Sequence, residues 1–97
     1  MLSKTQIRYL KGLASKLEIK YQIGKNEITD TVLDMLSKAL DSHELIKITL
    51  NKVVSEEKEY IAETLVNELH AELIQIIGST IILYRKNLKN PKISLPR

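Results

Sequence analysis

The chain has 97 residues, 43% of them hydrophobic, which suits a single domain with a modest core. It contains no cysteine, so disulfides and thiolate-bound metals are excluded, and no apolar run approaches the roughly 20 residues of a membrane span. The net charge of +3 hides a polarity: residues 1–26 carry six basic groups and one acid, 27–84 four basic and eleven acidic groups, and 85–97 five basic groups and no acid.

Ser3-Lys4-Thr5-Gln6 has the S-x-x-Q form of a capping box and opens a first helix. Ile7, Leu10, Leu13, Ala14 and Leu17 follow at helical spacing as its buried stripe. Lys4, Arg8 and Lys11 fall at i, i+4 and i+7, within about 60° of one another on the side away from that stripe. A basic row on one face of an amphipathic helix is ordinarily a solvated face; no acid interrupts this one, which shifts the reading toward an anionic partner.

Ile19, Tyr21 and Ile23 then alternate as a short strand, broken by Gly24. Gly24, Lys25 and Asn26 form a loop before a helix capped by Thr29. Gly24 puts no side chain in the way of an approaching anion and can take positive φ. Lys25 adds a cation, Asn26 an amide donor, and the following helix the partial positive charge of its N-terminus. The same residues also make an ordinary turn.

The second helix, from about Thr29 to Ser42, buries Val32, Leu33, Leu36, Ala39 and Leu40 and sets Asp30, Asp34 and Asp41 on the opposite face. Leu45 to Leu50 is the second strand, with Ile46, Ile48 and Leu50 alternating with Lys47 and Thr49. Ser55 caps a third helix with Glu56 and Glu57 in its first turn and a core stripe of Ile61, Ala62, Leu65, Val66 and Leu69. Leu73 to Ile77 and Thr80 to Arg85 form a hairpin across Gly78-Ser79, a two-residue loop suited to a type II′ turn. Residues 86–97 hold both prolines and four of the fifteen basic residues and read as a basic irregular tail.

The order α-β-α-β-α-β-β predicts a single α/β unit, an α+β sandwich with a four-stranded mixed sheet. Strands joined through helices give a parallel pair, and the hairpin adds an antiparallel edge. His43 and His70 stand alone, and no nucleophile elbow, Walker motif or dinucleotide glycine pattern is present. No enzymatic activity, cofactor, metal or small-molecule substrate is expected. With no apolar signal region behind Met1-Leu2-Ser3-Lys4, a soluble cytoplasmic protein is expected.

The chain resembles the small bacterial and archaeal YhbY-like proteins, each a single CRM domain, over nearly its whole length. The resemblance rests on Lys4-x-Gln6, Tyr9-Leu10-Lys11 and Leu13-Ala14 in the first helix and on Gln22-Ile23-Gly24-Lys25-Asn26 in the loop. It extends through Ala39-Leu40, Glu44-Leu45-Ile46-Lys47-Ile48, Ile77-Gly78 and Leu83-Tyr84-Arg85. It implies an RNA-binding domain related in fold to the C-terminal domain of translation initiation factor three, with bacterial members linked to precursors of the large ribosomal subunit. In that family a G-x-x-G loop meets the RNA, which maps onto Gly24, Lys25 and Asn26. Glu27 stands where the family has its second glycine, and Ser15-Lys16 and Ile19 where it often shows a histidine pair and a proline.

The resulting expectation is a non-enzymatic domain that grips structured rRNA of a large-subunit precursor by its phosphates. Lys4, Arg8 and Lys11, with Lys16 and Lys20, would hold the backbone, and Gly24, Lys25 and Asn26 would make the close approach. Arg85 and Lys86 would extend the patch if the hairpin ends beside the loop. Tyr21 is either a core residue or a stacking residue. The alternative is a protein-interaction module whose basic ends dock on an acidic partner, and a DNA-binding role ranks third.

Overall fold

Ser3 opens the first helix as its spacing predicts. In the computed structural model, which describes residues 2–18, 20–24, 28–51 and 55–97, both halves of the capping box form. The Gln6 N–H donates to Ser3 Oγ at 3.1 Å and the Ser3 N–H donates to Gln6 Oε1 at 3.0 Å. This helix, α1, runs Lys4–Ala14. It is followed by β1 (Lys20–Gly24), α2 (Asp30–His43), β2 (Leu45–Asn51), α3 (Ser55–Leu69), β3 (Glu72–Ile77) and β4 (Thr80–Tyr84). Thr29 caps α2, its hydroxyl accepting from the Val32 N–H at 3.3 Å. Gly24 is the last residue of β1 rather than a break after it, and Ile19 lies outside the described residues.

The described residues thus hold three helices and a four-stranded mixed sheet of order β1-β2-β4-β3. β1 runs parallel to β2, a pairing that needs the α2 crossover, while β4 pairs antiparallel with both β2 and β3. At the hairpin Gly78 takes φ +57 and Ser79 does not, the pattern a type II′ turn requires. The sequence leaves open which hairpin strand reaches β2. It is β4, whose residues 81–84 are all buried, because its two faces both carry large apolar side chains.

Each central strand divides its side chains between two layers. On one face Ile46, Ile48, Leu50, Ile81 and Leu83 join Leu36 and Leu40 of α2 and Ile61, Ala62, Leu65 and Leu69 of α3. On the other, Leu45, Ile82 and Tyr84 join Leu10 and Ala14 of α1. A bulge between Leu73 and Gln75 adds a residue to β3. It turns Ile74 toward α1, whereas Ile76 packs against the α2/α3 layer.

Residues 85–97 form no helix or strand, yet they are packed. Ile93 and Leu95 lie against the α1-side core together with Leu2, Ile7, Leu13 and Leu17. The segment therefore completes the layer that α1 begins.

Candidate nucleic-acid interface

Lys4, Arg8 and Lys11 all stand exposed on α1, to one side of the Leu10 and Ala14 stripe that seats the helix on the sheet. Lys16, two residues beyond the end of α1, is exposed as well. No acid occurs before Glu18, so every charged side chain on the outer side of α1 is basic.

The C-terminal segment reaches this surface through Glu44, a buried acid that no local pattern in the sequence marks out. Glu44 ends α2 with φ 63 and ψ −33, a positive-φ conformation far more costly for glutamate than for glycine. Its carboxylate explains the exception. The backbone N–H groups of Asn87, Lys92 and Ile93 all donate to it at 2.6 Å, and the Arg85 N–H donates to its carbonyl at 2.8 Å. Each charge-assisted bond contributes on the order of 1.5–3 kcal/mol, enough to offset the roughly 1–3 kcal/mol of backbone strain. Asn87 secures the turn from its other side, donating to the Asp41 carbonyl at 2.8 Å and accepting from the Lys89 and Asn90 N–H groups.

Beyond that anchor the chain crosses to α1, where Gln6 Nε2 donates to the Pro96 carbonyl at 2.9 Å. Gln6, Lys86, Lys92 and Arg97 then line one groove of about 460 Å³. The two basic ends of the sequence lie side by side on the α1 face of the sheet. Their acidic counterpart is on the other layer, where Asp30, Asp34 and Asp41 of α2 and Glu59, Glu63 and Glu68 of α3 are placed, all of them exposed. Tyr84, at the floor of the groove, has its phenol held above the ordinary value of 10, first by burial and then by the charges of Glu44 and Glu72.

Arg85 does not join this surface. Its guanidinium turns to the α2/α3 side and donates to the carbonyls of Leu69 at 2.8 Å and Ser37 at 2.7 Å, to Ser37 Oγ at 3.0 Å and to Asp41 Oδ1 at 2.9 Å. Lys86, next in sequence, is exposed and lines the basic groove.

Beside α1 the sheet adds a cation beyond those the sequence singled out. Lys47 alternates with Ile46 and Ile48 and so faces α1. With Lys11, Ser15, Gln75 and Thr80 it lines a depression of about 250 Å³. Its ammonium donates to the Leu17 carbonyl at 3.3 Å. Lys20 begins β1 as the register partner of Lys47, and Gly24 ends it opposite Asn51. Lys25, Asn26 and Glu27 lie outside the described residues. Strand alternation alone would have found Lys47; nothing local would have found Lys92 or Arg97.

An α/β sandwich with this element order and a cationic α1 face defines a class. The CRS1 / YhbY (CRM) domain matches residues 2–85, and the chain belongs to that family. It is 36% identical over 96 residues to the Probable RNA-binding protein YqeI of Bacillus subtilis, covering 99% of this chain and 100% of that one. An RNA-binding protein of Haemophilus influenzae is 40% identical over 96 residues, covering 99% of this chain and 96% of that one. The solution structure of the hypothetical protein SAV1595 from Staphylococcus aureus superposes with a TM-score of 0.82 at 38% identity, covering 99% of this chain and 100% of that chain.

Among the described residues no group of three or more histidines, cysteines or acids could hold a metal ion. No described helix is long and apolar enough to cross a membrane.

Proposed function

We propose that this protein binds RNA without catalysing a reaction, and that its target is structured rRNA in a precursor of the large ribosomal subunit. One observation carries the reading: the two basic ends of the chain, far apart in sequence, are held on one face by Glu44 and by the Gln6–Pro96 hydrogen bond. A face that gathers cations and few acids attracts a polyanion, and the acidic α2/α3 layer orients the molecule by repelling it. Membership of the CRM family and the RNA-binding names of two relatives support RNA over an acidic protein as that polyanion.

In this reading Lys4, Arg8, Lys11 and Lys16 hold the RNA backbone, with Lys20, Lys47 and Lys86 at the flanks. Gly24, Lys25 and Asn26 make the closest approach. Arg85 serves the same surface indirectly, by fixing the point where the C-terminal segment leaves β4.

The test is the triple variant Lys4→Ala, Arg8→Ala, Lys11→Ala. It should weaken binding to all structured RNAs alike and lower the slope of log affinity against log salt by about 0.7 to 0.9 for each phosphate no longer neutralised. Thermal stability should barely change, since all three side chains are exposed. An unchanged salt slope would remove α1 from the interface. Tighter binding to an acidic polypeptide than to RNA would favour a protein partner instead.

A further inference from the structure

At the edge of the sheet, where the chain passes from α1 into β1, the two core layers part. Leu17 and Leu45 belong to the α1 side, whereas Ile46 and Tyr21 belong to the α2/α3 side. Between them is a cavity of about 250 Å³ with an apolar floor and a rim of three polar side chains, Lys16, Glu18 and His43. All three are exposed, while the Tyr21 ring lining the wall is half-buried and anchored in the core. The volume falls below the roughly 300–1,000 Å³ of pockets that enclose whole drug-sized ligands, and suits one ring system.

We propose that this cavity receives one unpaired nucleobase of the bound RNA, with Tyr21 and the aliphatic floor against the ring and Glu18 and His43 at its edge. The proposal rests on the RNA-binding reading above and adds base recognition to what is otherwise a phosphate-holding face. Three features favour a base over other occupants. The first is continuity: the Lys4, Arg8 and Lys11 row leads along α1 to Lys16, so a strand following that row brings its next phosphate to the cavity mouth. The second is the mixture of surfaces, since a base has flat apolar faces and a polar rim, and single-stranded RNA is read by such ring contacts with edge hydrogen bonds. The third is Glu18, the first acid in the chain, placed beside the cationic row where a plain phosphate site would exclude it.

Glu18 also sets a preference. An ionised carboxylate only accepts hydrogen bonds, so it suits an edge rich in donors. Guanine offers an adjacent N1–H and N2–H₂ pair that a carboxylate can take together. Uracil presents two carbonyl oxygens flanking one N–H, which the carboxylate repels.

The experiment uses the full chain and ten-nucleotide oligouridylates carrying, at one central position, guanosine, cytidine, adenosine, uridine or an abasic unit. The guanosine oligomer should bind about five- to tenfold tighter than the all-uridine or abasic ones. Tyr21→Leu, which keeps apolar bulk but removes the ring, should abolish that gain. Glu18→Gln and His43→Ala, both at exposed positions, should reduce it without changing the salt slope. The Lys4, Arg8, Lys11 triple variant should weaken all five oligomers by one factor and keep the gain. Equal affinity for all five would overturn the cavity while leaving phosphate binding standing. So would a guanosine gain that survives in Glu18→Gln and His43→Ala. Failure of every oligomer, and of structured RNA, to bind would remove the RNA-binding reading and this proposal with it.

Discussion

Tyr84 shows how one residue ties the stability of the α1 face to its charge. The ring is buried in the α1-side core, and its phenol is held above the ordinary value of 10 by that burial and by Glu44 and Glu72. Between that value and the raised folded one, the native state keeps a proton that the unfolded chain has released. Its contribution is therefore intact below about pH 10 and is lost as pH rises through the folded value. Urea midpoints measured from about pH 8 to 11.5 should fall more steeply above about pH 10 in the wild type than in Tyr84→Phe, which cannot ionise. Everything but the phenol is common to both proteins, so only the difference counts, and parallel curves would show that the phenol is not coupled to folding. Glu44 makes a related point about residue choice. A glycine there would relieve φ 63 but could not hold three backbone N–H groups.

At the scale of elements, α1 and the C-terminal segment form one layer from two sequence-distant pieces. Their joint core of Leu2, Ile7, Leu10, Ile93 and Leu95 depends on the segment staying down. Glu44→Gln keeps the size of the side chain but replaces one acceptor oxygen with a donor. At least one of the three N–H groups then goes unsatisfied, at a cost of about 1–3 kcal/mol, or roughly 4–20 °C in Tm for a domain this small. Hydrogen exchange should locate the change: the amides of Asn87, Lys92 and Ile93 should lose protection while those of β2 and β4 keep theirs relative to the global limit. Full protection at those three amides in Glu44→Gln would show that the carboxylate does not pin the segment. The same variant should weaken RNA binding, since Lys86, Lys92 and Arg97 hold their places only while the segment is docked.

For the whole molecule, the separation of charge by layer matters more than the net +3. On the RNA-binding reading, a cationic α1 face and an acidic α2/α3 face should give the domain one orientation toward a polyanion and a strong dependence on salt. In lysate gradients it should co-sediment with large-subunit precursors at about 50 mM salt and leave them near roughly 200 mM, the range over which a protein neutralising several phosphates gives up most of its affinity. Recovery solely in the free-protein fractions at the lower salt, from cells that accumulate precursors, would separate the domain from subunit assembly.

What the sequence determined by itself was local. The capping box at Ser3, the cap at Thr29, the alternation of β2 and the turn at Gly78 all follow from neighbours a few residues away, and the periodicity of α1 showed both its buried stripe and its basic row. Those features sufficed for a four-stranded mixed sheet with helices and for the cations of α1. Tertiary structure decided what depends on partners far along the chain. It placed β4 rather than β3 beside β2, because β4 presents four consecutive large apolar residues to be buried, whereas β3 is interrupted by Gln75 and leaves Leu73 and Ile77 exposed at the edge. It turned the tail at 86–97 into part of the core through bonds spanning 43 to 90 residues, and it drew Arg85 inward to acceptors on α2 and at the end of α3. An acid that reads as one more solvated carboxylate became the anchor of the C-terminal segment, since a charge can be buried wherever distant backbone donors converge on it, and no local pattern records that convergence.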